Sequence, residues 1–298
     1  MGEFYVIDAH VHTYKTPEIG LQAQAGNGRV GCCGTPEELL GIMEKAGISL
    51  AVQVNMTPAR SMFEAAVAGM TPERREAEQA GVCEKISARV TRRNEWTCAM
   101  AREHSRLVAF PSVDPIMGSE AMVREWTDMV DRHGAKGLKL HPAEGRFFPG
   151  DRALWPVYEA AQGRGLPVIS HGGQFDTDKE YTRPMNFAPV LSDFPQLTLV
   201  IAHLGHGYFQ ESVALSQKYA NVFFDTSAVI HGAEGERPLS DTEAVDLVRA
   251  LGVSRVMFGS DFPWYDPGRD LERFLGLAFT IGEKEAILAK NAQRILGL

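Results

Sequence analysis

Cysteine is scarce, and what there is forms no motif. The chain of 298 residues carries Cys32, Cys33, Cys83 and Cys98, with no Cys-X-X-Cys pair. That excludes a zinc ribbon and a thioredoxin-type redox site. Cys32 and Cys33 are adjacent and cannot close an unstrained bridge on each other. Long apolar runs are also missing: none approaches the roughly 18 residues of a membrane helix. With no signal-peptide pattern at the amino end, a reducing, cytoplasmic setting without membrane attachment is expected. Positive charge is in deficit. A net charge of -8 argues against nucleic acid as a partner, which a basic patch or stripe would attract. It leaves room for a local cationic pocket that takes a small anionic substrate. Neither a low-complexity linker nor a fixed-period repeat interrupts the chain, so 1–298 is expected to be a single domain.

What is present begins with Phe4-Tyr5-Val6-Ile7-Asp8-Ala9-His10-Val11-His12. It reads as a short buried strand that ends in alternating histidines. Successive side chains of a strand point to opposite faces, so Asp8, His10 and His12 are expected on one face. Two imidazoles presented side by side suit a divalent metal. A glycine-rich segment, Gly20 to Gly34, is expected to loop above this strand end. Thr35-Pro36-Glu37-Glu38 then opens a helix, with Thr35 as N-cap, Pro36 in the first position and Glu38 completing a capping box. That helix stops at Gly47, and Ile48 to Val54 forms the second strand.

Residues 55–105 break the rhythm. Thr57 to Ala68 and Pro72 to His104 have helical composition and no strand signal. They predict a helical excursion between the second and third strands, which could cover the site or make a subunit contact in a homodimer. Strands then recur at Leu107 to Pro111, Lys136 to His141, Leu166 to His171, Thr198 to His203, Val222 to Asp225 and Arg255 to Asp261. The helices between them are predicted at 119–133, 154–164, 184–194, 209–219 and 241–251, the last capped by Asp241. Two more, at 271–279 and 283–296, close the chain. Short apolar strands alternating with amphipathic helices imply parallel βαβ units. Eight of them over this length predict an α/β fold, a (β/α)8 TIM barrel with a helical excursion between strands 2 and 3.

Polar residues gather at the carboxyl ends of these strands: His10, His12, Asn55, His141, His171, His203, Asp225 and Asp261. In such a barrel those ends converge on one mouth. Buried strand ends rich in histidine need partners, because unpaired buried polar groups are costly.

The motifs Asp8-Ala9-His10-Val11-His12, Gly137-Leu138-Lys139-Leu140-His141-Pro142, Ile169-Ser170-His171, Ile201-Ala202-His203-Leu204-Gly205-His206-Gly207 and Phe258-Gly259-Ser260-Asp261-Phe262-Pro263-Trp264 resemble those of the amidohydrolase superfamily. The resemblance is to its amidohydrolase-related subgroup, which includes aminocarboxymuconate-semialdehyde decarboxylase. The closing Asn291 to Leu298 is similar to the family's ending. The resemblance implies that His10, His12, His171 and Asp261 ligate one divalent metal ion, Zn²⁺ first, with Mn²⁺ or another divalent ion as alternatives. It implies that Asp261 and His203 are catalytic, Asp261 moving protons and His203 bonding the water or substrate oxygen. His141 and Trp264 are then candidate substrate contacts, and Tyr14 is a further candidate wall of the pocket. Lys139 has an alternative role, because some superfamily members carboxylate such a lysine to bridge two metals. Asp225 is a candidate partner for a metal-binding histidine. Arg146 and Arg183, on upper loops, are candidates for a substrate carboxylate but more ordinary as surface residues.

The reaction implied first is hydrolysis, by a metal-activated water, of an amide, lactone or related small carboxylated substrate. The alternative is non-oxidative decarboxylation of an aromatic or muconate-like acid on the same ligands. Phosphoester hydrolysis is disfavoured, since the fourth strand offers Lys139 and His141 rather than a glutamate. A catalytically dead binding barrel is disfavoured by the intact histidine and aspartate set.

Overall fold

The computed structural model describes residues 4–25, 30–174, 180–231 and 238–298. Residues 26–29 of the glycine-rich segment lie outside the described residues. The strands are β1 (Ile7–Val11), β2 (Leu50–Gln53), β3 (Leu107–Ala109), β4 (Leu138–Leu140), β5 (Val168–Ser170), β6 (Leu199–Ile201), β7 (Val222–Asp225) and β8 (Val256–Met257). The helices are α1 (Pro17–Ala23), α2 (Pro36–Ala46), α3 (Ala59–Val67), α4 (Pro72–Glu103), α5 (Ser119–His133), α6 (Pro142–Gly145), α7 (Trp155–Arg164), α8 (Ala188–Asp193), α9 (Phe209–Lys218), α10 (Asp241–Leu251), α11 (Pro267–Gly276), α12 (Ile281–Glu285) and α13 (Asn291–Leu296). A π-helical stretch, Ala286–Lys290, joins the last two.

All neighbouring strands pair in parallel, β1-β2-β3 in one run and β4-β5-β6-β7-β8 in another. Two seams join the runs into a ring. Ser112 bridges Lys139, with Lys139 N donating to Pro111 O at 2.8 Å. Val11 bridges Phe262, with His12 N donating to Phe262 O at 2.6 Å and Ala9 N to Phe258 O at 2.8 Å. The fold is therefore a (β/α)8 barrel.

Strand alternation sorts the side chains into two layers. Ala51, Val168, Leu199 and Ile201 pack with helix residues such as Leu39, Met43, Trp126 and Tyr158. Val52, Phe110, Ile169, Val200 and Met257 turn the other way and share an interior cluster with Ala292 and Ile295 of α13.

Helix starts obey local chemistry more closely than the expected boundaries did. Thr35 Oγ1 accepts from Glu38 N, but the Glu38 carboxylate reaches Cys33 N and Gly34 N instead of closing the box on Thr35. The cap of α10 is Ser240, not Asp241, because Ser240 and Glu243 form a reciprocal box there. Asp266 caps α11 with Pro267 in the first turn, so this helix begins before the expected Leu271 and ends at Gly276. Thr16 and Pro17 open α1 in the same way, inside what was expected to be loop.

The excursion is α3 and α4, as expected. The stripe Ile86, Val90, Asn94 and Thr97 of α4 is buried. Asn94 is bonded to both N and O of Ser112, just past β3. Thr97 Oγ1 accepts from Asn55 Nδ2 at 3.0 Å, and Asn55 Oδ1 accepts from Thr13 N at 2.7 Å. The carboxyl-terminal half of α4 is thus fastened across the ends of β1, β2 and β3, beside the mouth.

Candidate metal centre

At the end of β1, His10 and His12 present both Nε2 atoms to one carboxylate oxygen. Asp261 Oδ1 lies 3.3 Å from His12 Nε2 and 3.7 Å from His10 Nε2. Among the described residues, His10, His12 and Asp261 form a group whose ligating atoms all lie within 4.8 Å of one another. Asp261 sits at a φ of 70°, which L-residues rarely adopt. The conformation is held by Asp261 N donating to His10 O at 2.8 Å, and such strain clusters at functional sites.

Asp8 does not share this face. The β1–β2 register slips by one residue between Asp8 and Val11, and such a bulge reverses the facing of what precedes it. Asp8 turns to the side of its partner Ala51, and its carboxylate accepts from Ser260 N and Oγ. Burial raises its pKa to about 7.

The charge state of the trio suits a cation. Burial pushes the His12 imidazole down to about 3, so it is neutral with a lone pair to give. Burial alone would raise the Asp261 carboxyl, but the His12 hydrogen bond and the nearby His203 and His10 outweigh it and hold it well below the usual range.

Asp225 fixes how the histidines are protonated. Its Oδ2 accepts from His10 Nδ1 at 2.9 Å, which leaves the lone pair of His10 on Nε2, facing Asp261. Its Oδ1 accepts from His203 N, Ser227 N and Ser227 Oγ. Burial pushes the Asp225 carboxyl up, yet His10, His203 and the Ser227 hydroxyl hold it below the ordinary range. Since Ser227 gives its hydroxyl proton to Asp225, its oxygens can only accept at His203 Nδ1, 2.9 Å from Oγ and 3.1 Å from the carbonyl. His203 Nε2 then carries a lone pair and accepts from His171 Nδ1 at 3.1 Å. By the same logic the lone pair of His171 is on its Nε2. One carboxylate therefore sets the tautomers of His10 directly and of His171 through Ser227 and His203. Ser227 had not been singled out from the sequence, although it lies two residues past the end of β7.

The other expected residues fall as follows. His171 lies outside the close trio; its ring stacks on His141 at 4.2 Å and meets His203 edge-on at 4.8 Å. His203 directs Nε2 at His171. His141 Nδ1 accepts from Glu144 N at the start of α6, so its Nε2 bears the proton. Burial pushes His141 and His171 well below 6.5 and His203 to about 4, so all three are neutral. Lys139 is fully buried, with Nζ 3.4 Å from His10 Nε2. Burial lowers its pKa to about 8 against the pull of Asp225 and Asp261. Trp264 meets His12 edge-on at 5.2 Å and Tyr14 at 6.3 Å. The two candidate arginines are paired elsewhere: Arg146 with Glu64 at 2.7 Å, and Arg183 with Glu211.

Residues 7–298 match the family model described as Amidohydrolase. No protein of curated function matches the chain. Among solved structures, an uncharacterised TIM-barrel protein from Bordetella bronchiseptica is 21% identical, with a TM-score of 0.75 and 99% of both chains covered. The 5-carboxyvanillate decarboxylase of Sphingomonas paucimobilis is 16% identical, with a TM-score of 0.74, covering 99% of this chain and 100% of its own. A dihydroxybenzoic acid decarboxylase from Polaromonas, solved with manganese and 2-nitroresorcinol, is 14% identical at a TM-score of 0.73, covering 99% and 97%. These likenesses establish a shared fold.

Proposed function

We propose, from the premise that this chain belongs to the amidohydrolase family, that it is a metal-dependent decarboxylase of a small hydroxylated aromatic acid. The observation that carries the reading is the join of two features at one mouth. The His10–His12–Asp261 trio stands beside an aromatic wall of Trp264 and Tyr14. The solved decarboxylases of the same fold, acting on carboxylated phenols, support it. This reading replaces hydrolysis as the first choice. Hydrolysis would use the same trio, with Asp261 taking a proton from water and passing it to a leaving group.

His10, His12 and Asp261 would hold the ion, with His171 as the further candidate ligand, whose Nε2 lone pair follows from the Asp225 network. Neutral imidazoles with one ionised carboxylate suit Zn²⁺ and also Mn²⁺, the ion in the Polaromonas enzyme. When bound, a divalent cation supplies Lewis acidity to the oxygens of the substrate.

The remaining work falls to the chain. Lys139 Nζ, fully buried, and His141 Nε2–H, partly buried, are donors for oxygens that gain negative charge. Trp264 and Tyr14 bound the ring and keep water from its face. Asp261 takes the phenolic proton on a carboxylate oxygen and delivers it to the carboxyl-bearing carbon. The electron pair of the broken C–C bond returns to the ring, CO₂ departs, and solvent reprotonates the phenolate. Seating a substrate near the donors fixes this geometry before any bond moves.

The test is a panel of hydroxybenzoates, 5-carboxyvanillate, and lactone and amide analogues, offered to protein reconstituted with Zn²⁺ or Mn²⁺. CO₂ release from at least one hydroxylated aromatic acid, abolished in Asp261→Asn, is expected. Ring or amide opening without CO₂ would restore the hydrolase.

A further inference from the structure

Among the described residues, Arg93 stands near the mouth without an acidic partner. Arg93, on the part of α4 fastened across β1–β3, packs its guanidinium over the ring of Tyr14 at 4.7 Å and of Trp96 at 5.0 Å. Its Nη2 donates to Thr13 O, the carbonyl next to His12. That is its one hydrogen bond among the described residues, and no carboxylate there pairs with it. The charged or ionisable groups that act on it are Tyr14 and the like-charged Arg89.

Several other arginines of this protein are paired with acids, while Arg255 and Arg294 bond backbone carbonyls. Arg60, Arg74, Arg106, Arg124, Arg146 and Arg164 are each bonded to a carboxylate. A guanidinium has five N–H donors in a planar fork, and stacking on an aromatic uses its face, not its edge. Arg93 is partly buried, and its remaining N–H donors have no hydrogen-bond acceptor among the described residues. Tyr14 joins it to the metal centre: its ring meets Trp264 edge-on at 6.3 Å, and Trp264 meets His12 at 5.2 Å.

We propose that Arg93 anchors a second anionic group of the substrate, so that the site selects planar aromatic acids carrying a further carboxylate away from the metal. The inference rests on the reading of the site as one for aromatic acids, and deepens it by naming the substrate class. The ring lies along the wall of Tyr14 and Trp264, one acidic group faces the His10–His12–Asp261 trio, and the other takes the in-plane donors of Arg93. A bidentate guanidinium–carboxylate pair is charge-assisted and geometrically selective. The helical excursion thereby acquires a role in specificity, since it is the element that brings Arg93 over the ends of β1–β3.

The experiment is equilibrium binding of benzoate and of isophthalate, benzene-1,3-dicarboxylate, to the Mn²⁺-loaded and the metal-free protein. Melting temperature is measured alongside for wild type, Arg93→Gln and Arg93→Lys. Wild type is expected to prefer isophthalate by about 10-fold or more. Arg93→Gln should bring that preference below about threefold while benzoate binding holds, and Arg93→Lys should fall between. The same preference, weaker overall, is expected without metal. An unchanged preference in Arg93→Gln overturns the proposal, as does equal loss for both ligands, which would make Arg93 only a brace for Tyr14. Should Arg93→Gln not fold, Arg93→Lys decides: a preference reduced at least threefold supports the proposal, and an undiminished one overturns it. Absence of CO₂ release with the Arg93-dependent preference intact would sink the decarboxylase alone.

Discussion

Replacing Asp225 with asparagine tests the tautomer argument most directly. In the native site Oδ2 takes the Nδ1 proton of His10, and Oδ1 takes three donors, including the Ser227 hydroxyl. Asparagine keeps the shape but offers one carbonyl oxygen in place of two anionic oxygens. If its oxygen stays with Ser227 and the two backbone amides, its NH₂ faces His10 Nδ1. His10 then moves its proton to Nε2, the atom aimed at Asp261, and that nitrogen can no longer ligate. If the amide turns over, the Ser227–His203–His171 arm is broken instead, and the lone pair on His171 Nε2 is no longer fixed. Either way one candidate ligand is disarmed. Loss of such an orienting partner typically weakens metal binding 10- to 100-fold, or about 1.4 to 2.7 kcal/mol. The effects of the two arms share one carboxylate, so they should not multiply. Ser227→Ala breaks only the second arm and should cost less, about three- to tenfold, and less than Asp225→Asn in the same assay. Competition of Mn²⁺ and Zn²⁺ against a fluorescent chelator at pH 7.5 measures both. An Asp225→Asn protein that stays folded and binds either ion within about threefold of wild type would refute the reasoning.

Three further outcomes follow from burial. In the metal-free protein, burial depresses His12, His141, His171 and His203, so the unfolded chain binds their protons first below about pH 6.5. Asp8, Asp114 and Asp270 are raised by burial, and the folded state takes up their protons first, which offsets most of that loss. Net stability should therefore fall with acid by only about 1 kcal/mol per pH unit between about pH 6 and 5, as read by urea unfolding; a clearly opposite slope would contradict the assignment. Asp270 on α11 is buried, with no hydrogen bond to either carboxylate oxygen among the described residues, so ionising it costs stability increasingly as pH rises above 3.8. Asp270→Asn should stabilise by about 1–2 kcal/mol at pH 8 and less at pH 5, as measured by the shift in denaturant midpoint. At Gly137 an added Cβ would lie 2.0 Å from the Phe110 ring in the barrel interior. Gly137→Ala should lose about 1–3 kcal/mol in the same measurement, and a neutral result would mean that this layer repacks freely.

Much of the architecture was legible in one dimension. Each of β1 to β8 falls inside a short apolar stretch expected to be a strand, and the excursion was marked by helical composition over 57–68 and 72–104. Where boundaries were missed, the signals were present. Thr16-Pro17 repeats the opening of Thr35-Pro36, and Ser240 with Glu243 spells a capping box one residue before Asp241, to which the cap had been assigned. The site divides differently. His10, His12, His171 and Asp261 were named as ligands by the family resemblance, and the fold brings His10, His12 and Asp261 into one close group. Asp8 was placed on the wrong face because a one-residue register slip leaves no mark in the sequence. Ser227 and Arg93 went unnoticed because serines and helical arginines are common, and only a partner across space gives them meaning.

The sequence by itself determined the order of strands and helices and the side of the barrel that carries polar groups. Those properties rest on local periodicity and on strands that run parallel. Tertiary structure alone decided which histidine nitrogens hold protons, which aspartate bonds His10 and which aromatic rings Arg93 packs on. These follow from contacts between residues as far apart in the chain as His10 and Asp225 or Thr13 and Arg93. Protonation and pairing are set by the nearest neighbour in space, and chain order carries no information about that until the ring has closed.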